Sequence, residues 1–207
     1  MDLDDGPCFG RNDVKVLEKK EVYKGFFRVN KYRLKHRMIE GGWTQELERE
    51  CFDRPQAVGV LLYDPFQDNV VILEQFRIGS LDASEGPWQM ELVAGLVEQG
   101  ETCEGVARRE AIEEAGAEIL NLEYMYEYYS SPGGCNEKLT LYCGVVDSTG
   151  LGGVHGLKEE GEDIWVQVMP RAEAWTALEE NYIGNAATII SLQWLQIHYQ
   201  RLQEQWR

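Results

Sequence analysis

The sequence has no long apolar run and few positive charges. No stretch approaches the roughly 18 to 20 consecutive apolar residues that cross a bilayer, and MDLDDGPCFG at the N-terminus lacks a basic segment followed by an apolar one. We therefore expect a soluble cytoplasmic protein without a membrane partner. The 207 residues include 20 Lys and Arg against 36 Asp and Glu, a net charge of −16 that argues against nucleic acid as a partner.

Paired cysteines are also missing. The five cysteines stand at positions 8, 51, 103, 135 and 143, an odd number with no CxxC motif. This spacing argues against both a disulfide framework and a structural zinc site. We expect ordinary reduced thiols, as is usual in cytosolic proteins.

The apolar pattern predicts an α+β protein in two parts. Residues 14–39 alternate apolar and charged side chains around Lys24 and Gly25, which predicts a small antiparallel sheet in residues 1–55. A polar connection through Gly41 and Gly42 leads to residues 56–207, which we expect to form the main domain. There the pattern predicts strands at 57–64, 69–78, 88–97, 122–129, 138–146 and 163–170, and helices at 103–115, 171–181 and 185–206.

The helix at 103–115 is crowded with glutamates. Ala107, Ala111 and Ala115 recur every four residues, so one side of the helix can lie close to a sheet. Glu110 and Glu114 then share another face, where like charges repel. Two explanations are open: a solvated acidic face neutralised by neighbouring arginines, or a hard divalent cation bound by the carboxylates.

The spacing of this segment favours the cation. Its fixed positions fit G-x5-E-x7-R-E-U-x-E-E-x-G-U, the Nudix box, with alanine at its two aliphatic positions, 111 and 117. These positions are Gly95, Glu101, Arg109, Glu110, Glu113, Glu114 and Gly116. The chain therefore resembles the Nudix hydrolases, which cleave nucleoside diphosphates linked to another group with divalent metals. This resemblance implies an α/β/α sandwich with a mixed sheet.

Other segments extend the resemblance to the bacterial ADP-ribose pyrophosphatases within that family. They are EQFRIG at 74–79, SSPGG at 130–134, GVHGLKEEGEDI at 153–164 and GNAATIISLQWL at 184–195, with Pro132 sixteen residues beyond Gly116 of the box. The implied reaction is Mg²⁺-dependent hydrolysis of ADP-ribose to AMP and ribose 5-phosphate. Two alternatives remain: a preference for another nucleotide sugar such as a GDP-sugar, or a non-catalytic ADP-ribose sensor. The intact box and the lack of a DNA-binding extension count against the sensor.

The resemblance also implies the metal ligands. They would be Glu110, Glu114, Glu162 and the backbone carbonyl of Ala94, with Glu101 and Glu113 as supporting or water-mediated ligands. Two or three Mg²⁺ ions would bind, with Mn²⁺ able to substitute, and Arg109 would orient the box carboxylates. Glu160 matches the position of the catalytic base in that family. The alternative is that Glu160 belongs to an exposed acidic loop without a catalytic role.

Substrate contacts are implied on both sides of the box. Arg77, at the end of a strand, would bind the diphosphate or the terminal ribose, although a lone arginine there is usually a surface residue. The base would stack on an aromatic side chain near the N-terminus and be flanked by charged groups, while a glycine-rich loop would contact the ribose. The implied residues are Phe26, Phe27, Arg49, Glu50, Arg54, Ser131 and Glu137. Core packing is the alternative role of the two phenylalanines. The resemblance further implies a homodimer with a swapped N-terminal region.

Overall fold

The computed structural model describes residues 9–206, except for the side chain of Glu160. The chain forms two compact units. The small unit runs up to Arg54 and includes Tyr129–Glu137, and the large unit comprises Pro55–Tyr128 and residues from Lys138 onward. Cys8, expected to be a reduced thiol, lies outside the described residues.

The described part of the chain contains eleven strands, three α-helices and three short 3-10 helices. The strands are β1 (Val14–Lys24), β2 (Arg28–His36), β3 (Leu47–Asp53), β4 (Ala57–Asp64), β5 (Asn69–Phe76), β6 (Trp88–Glu91), β7 (Val93–Leu96), β8 (Asn121–Tyr129), β9 (Lys138–Val145), β10 (Gly153–His155) and β11 (Ile164–Pro170). The helices are α1 (Cys103–Ala115), α2 (Arg171–Glu179) and α3 (Ala186–Trp206).

The small unit contains a three-stranded antiparallel sheet in the order β1-β2-β3. The expected pair at 14–39 is confirmed as β1 and β2, joined where Gly25 N donates to Phe27 O at 2.9 Å. Strand β3 lies within the segment that the sequence pattern predicts to be a polar connection. Four of its seven residues are charged and none is buried, so it has no apolar alternation to reveal it.

The large unit is built around one mixed sheet in the order β10-β11-β5-β4-β9-β8, with β6 beside β5 and β7 beside β4. Strands β4 and β9 are parallel, whereas β4 pairs antiparallel with β5 and β7. Every residue of β4 is buried, which is typical of a central strand covered on both faces.

Helices cover the two faces of this sheet. Helix α1 packs on one face, where Ala107, Ala111 and Ala115 are at most 1% exposed. Helices α2 and α3 pack on the other face, where Leu195 and Leu202 are fully buried. The expected α/β/α sandwich with a mixed sheet is therefore confirmed. None of the helices in residues 9–206 combines the length and apolar character needed to cross a membrane.

Candidate active site

The acidic segment folds as a strand, a loop and helix α1. Thr102 caps the helix, since its side-chain oxygen accepts a hydrogen bond from Gly105 N at 3.1 Å. The helix ends at Gly116, whose φ of 63° is the left-handed conformation that glycine adopts without strain. The alanines of α1 face the sheet, whereas Glu110 and Glu113 are half-buried and Glu114 is buried.

Arg109 gathers three carboxylates of this segment. Its Nη1 donates to Glu110 Oε1 at 2.8 Å and to Glu113 Oε2 at 2.9 Å, and its Nε lies 3.4 Å from Glu101 Oε1. Partial burial opposes the charge on Arg109, but the surrounding carboxylates outweigh that effect and raise its pKa. Arg109 therefore offsets part of the repulsion between these glutamates.

Glu114 is the most buried of these carboxylates. It is 3% exposed, and its Oε2 accepts a hydrogen bond from Ala94 N at 3.0 Å. Burial raises the pKa of Glu114 to about 8; the bond from Ala94 acts against this, while the charges of Glu110 and Glu162 add to it. Burial likewise raises the pKa of Glu110. The site therefore holds carboxylates whose negative charge is poorly compensated by the protein alone.

Gly95 leaves room for the carboxylate of Glu110. A Cβ at this position would lie 2.0 Å from Glu110 Oε1 and 2.3 Å from Glu110 Cδ. No side-chain atom fits at such a distance, so only glycine allows the Glu110 carboxylate to rest against strand β7.

Carboxylate and carbonyl oxygens are the ligands that a hard divalent cation prefers, but in the described part of this structure they are not gathered around one point. Within residues 9–206, apart from the Glu160 side chain, no three acidic, histidine or cysteine side chains form a group that could hold a metal as they stand. Glu110 is turned to Arg109, Glu114 to Ala94 N, and Glu162 Oε2 to Leu157 N at 3.0 Å. Each of these bonds engages one carboxylate oxygen, and a bound cation would relieve the ionisation cost at Glu114.

Glu160 lies in a single 3-10 turn, Lys158–Glu160, that ends at Gly161. Its side chain is outside the described part of the molecule. Its assignment as the catalytic base therefore stays a prediction.

Arg77 follows β5 and is held by a residue that the sequence reading missed. Its Nε and Nη2 contact Glu91 Oε2 at 2.9 and 2.8 Å. Burial acts to lower the pKa of Arg77, and Glu91 more than offsets this so that the pKa is raised. The charges of Glu114 and Glu162 also contribute to raising the pKa of Arg77. A lone acidic residue within the apolar run at 88–97 was the one available signal for Glu91.

The small unit brings together an aromatic and charged group. The rings of Phe27 and Phe52 pack edge to face at 5.0 Å, and the Arg54 guanidinium lies 5.0 Å from the Phe27 ring centre. Arg54 Nε is 3.0 Å from Glu137 Oε1. Phe26 is 91% exposed, so it is not a core residue. Of this group, Phe52 was not among the residues expected from the sequence.

Arg49, Glu50 and Ser131 are placed differently. In β3, Arg49 lies opposite Tyr32 and Glu50 opposite Lys31, so their side chains point to opposite faces of the sheet. Their role in flanking the base stays a prediction. The Ser131 carbonyl accepts hydrogen bonds from the amides of residues 134 and 135, which closes the SSPGG turn.

The chain is similar in sequence to a known domain and to several named enzymes. The model of the NUDIX domain matches residues 53–190. An ADP-ribose pyrophosphatase of Escherichia coli (strain K12) is 46% identical over 96% of this chain and 95% of its own length. One from Haemophilus influenzae is 41% identical over 96% of this chain and 93% of its own. A GDP-mannose pyrophosphatase of Pectobacterium atrosepticum is 32% identical over 87% and 92%, respectively.

A solved structure supports the fold independently. The crystal structure of an ADP compounds hydrolase superposes with a TM-score of 0.66 at 20% identity, covering 90% of this chain and 96% of that one. The domain match over residues 53–190 and the identity to these relatives show that the chain belongs to the Nudix family.

Proposed function

We propose that this Nudix hydrolase cleaves ADP-ribose to AMP and ribose 5-phosphate. The observation that carries the proposal is the 46% identity to an ADP-ribose pyrophosphatase over 96% of the chain, a range that includes the small unit and the box. Relatives named GDP-mannose pyrophosphatases are 30 to 32% identical, which makes a GDP-sugar the second candidate. A sensor without activity is disfavoured because every charged position of the box is present.

The side chains of the large unit have distinct proposed roles. Arg77 binds a phosphate oxygen of the diphosphate, because a guanidinium is suited to that contact. Arg109 keeps Glu101, Glu110 and Glu113 in place through its three contacts. Glu160 takes the proton of the attacking water as general base.

Glu110, Glu114, Glu162 and the Ala94 carbonyl would hold the divalent ions, which we take to be Mg²⁺, with Glu113 and Glu101 in support. Bound metal would supply charge screening of the diphosphate and a lower pKa for a bound water. The buried, protonation-prone Glu114 supports this proposal, since a carboxylate with a pKa of about 8 gains from a cation nearby.

The small unit is proposed to mediate a homodimer and to contribute substrate contacts, with a boundary near residue 55. All residues of β1 are exposed, including five large apolar ones, which is typical of an interface. Residues 14–37 carry nine Lys and Arg against two Glu, whereas the rest of the chain carries 11 against 34 acidic residues. Basic and acidic regions of two copies are therefore complementary. In the swapped dimer, Phe26, Phe27, Arg49, Glu50, Arg54, Ser131 and Glu137 are the proposed substrate contacts.

A cytosolic location is proposed on chemical grounds. Four cysteines lie in the described residues and all are free thiols, as expected in a reducing compartment.

Steady-state kinetics with a panel of nucleoside diphosphate sugars tests the substrate. ADP-ribose and a GDP-sugar are compared with Mg²⁺ and with Mn²⁺, and kcat/KM is determined for each pair. We expect ADP-ribose to give the highest value, with AMP and ribose 5-phosphate as products. A higher kcat/KM for the GDP-sugar would replace the proposed substrate, and no turnover of any member would support the sensor.

A further inference from the structure

Glu91 is a buried carboxylate with both oxygens engaged. Its side chain lies on β6 and is only 6% exposed. Oε2 accepts from Arg77 Nε and Nη2, and Oε1 accepts from Asn185 Nδ2 at 3.1 Å. Donors on both oxygens fix the carboxylate in one orientation, and Arg77 provides the compensating charge that a buried anion requires.

Asn185 is itself fixed by the start of helix α3. Its Oδ1 accepts hydrogen bonds from Thr188 N at 3.1 Å and from Thr188 Oγ1 at 3.2 Å. Thr188 is fully buried, and its Oγ1 accepts from Leu92 N at 3.0 Å, between β6 and β7. A continuous series of hydrogen bonds therefore connects the helix end to the strands and, through Glu91, to Arg77.

This series leaves one side of the Arg77 guanidinium available. Glu91 occupies the edge formed by Nε and Nη2, while Nη1 has no protein acceptor among the residues that the structure describes. The Arg77 side chain is 44% exposed, so a ligand can reach it. The two contacts with Glu91 Oε2 hold this edge of the guanidinium.

We infer that Glu91 and Asn185 are positioning residues that orient Arg77 toward a phosphate oxygen of the substrate. This inference rests on the proposed function, in which Arg77 binds the diphosphate. Glu91 acts through Arg77 and is assigned no contact with substrate. Its contribution should therefore disappear when Arg77 is absent.

A double-mutant cycle on KM tests this dependence. Arg77→Ala, Glu91→Gln and the double variant are compared with wild type in ADP-ribose hydrolysis at saturating Mg²⁺. We expect Arg77→Ala to raise KM about tenfold or more, as for loss of a hydrogen bond to a charged group. Glu91→Gln should raise KM several-fold with a smaller change in kcat, and should add no further increase in the Arg77→Ala background. An equal effect of Glu91→Gln in both backgrounds would overturn the inference.

Asn185→Ser provides a second variant in case Glu91→Gln is poorly folded. Serine keeps an oxygen for the cap of α3 but removes the Nδ2 donor to Glu91. We expect a raised KM at a thermal midpoint close to that of wild type, again only when Arg77 is present. Glu74→Gln, a carboxylate on the neighbouring strand that contacts Gln167, is the matched control and should leave KM unchanged.

Failure of the proposed function has a different signature. If wild type hydrolyses another nucleotide sugar instead of ADP-ribose, the substrate proposal fails and the same cycle is measured with that substrate. If wild type hydrolyses ADP-ribose but Asn185→Ser and Glu91→Gln leave KM unaltered while Arg77→Ala raises it, the positioning role is wrong and the proposed function stands.

Discussion

Glu114 shows how one buried carboxylate links stability to the metal site. Its side chain is nearly inaccessible to solvent, and the charges of Glu110 and Glu162 further oppose its ionisation. In the unfolded chain its pKa is near the ordinary value of 4.5, and in the folded protein it is about 8. Between these values the unfolded state releases the proton while the folded state keeps it. Metal-free protein should therefore lose stability as pH rises through this window, with no further loss from this group above it.

Replacing Glu114 by Gln should remove this pH dependence. Gln keeps an acceptor for Ala94 N but does not ionise, so the variant should gain stability relative to wild type between pH 5 and pH 8. The gain should be on the order of a few kcal/mol, since one pKa unit corresponds to about 1.4 kcal/mol. Urea unfolding with a chelator present at both pH values measures it. Glu104→Gln, at an exposed position of the same helix, is the control. A stability difference that stays constant with pH would contradict the assignment.

Gly95 makes a second prediction at the scale of single residues. An alanine Cβ would overlap the Glu110 carboxylate, so Gly95→Ala should displace Glu110 from strand β7. We expect kcat/KM for ADP-ribose to fall at least about tenfold, because contacts of charged groups contribute about 1.5 to 3 kcal/mol. The apparent Mg²⁺ affinity should fall with it. Gly79→Ala is the matched control, since a Cβ there meets no atom within 4 Å. Equal activity of both variants would show that the position of Glu110 is not important.

At the scale of elements, the sequence predicts helices and strands that have a regular apolar pattern, and it misses those that lack one. Helix α1 was predicted at the residues where it is found, because its alanine spacing and its terminal glycine are both local signals. Strand β3 was missed because its faces are not distinguished by apolar residues. Likewise, no periodic pattern could connect Glu91 with Asn185, since their contact joins residues 94 positions apart.

The loop between β10 and β11 contains Glu160, the proposed general base. Glu159, Glu160 and Glu162 lie close together in sequence, and only Glu160 is assigned the proton transfer. Glu160→Gln should lower kcat by roughly 10²- to 10⁴-fold, the usual contribution of a general base. Glu159→Gln should be nearly silent, and Glu162→Gln should raise the Mg²⁺ concentration required. Near-normal turnover in Glu160→Gln with loss in Glu159→Gln would move the base by one residue.

At the scale of the whole molecule, the net charge of −16 conceals an uneven distribution. The strand pair at 14–37 is basic and the remainder is strongly acidic. Cross-strand neighbours in that pair include Lys15 with Lys35 and Lys20 with Lys31, and like charges directly opposite each other destabilise a sheet. Glu48 and Glu46 of the same chain offset part of this repulsion at Lys31 and Lys35, and an acidic surface on a second copy would offset more of it. The overall charge could be read from composition, but these like-charge pairs depend on the strand register.

A mixing experiment tests whether two chains build one site. Arg54→Ala disables the aromatic and charged group of the small unit, and Glu110→Gln disables the proposed metal ligand of the large unit. In a swapped dimer, a hybrid of the two variants contains one intact site, so random mixing should restore up to about a quarter of wild-type activity. Subunit exchange is confirmed by native mass spectrometry, and each variant mixed with itself is the control. If hybrids form and activity does not recover, each site is built from a single chain, and the small unit serves dimerisation without binding the partner's substrate.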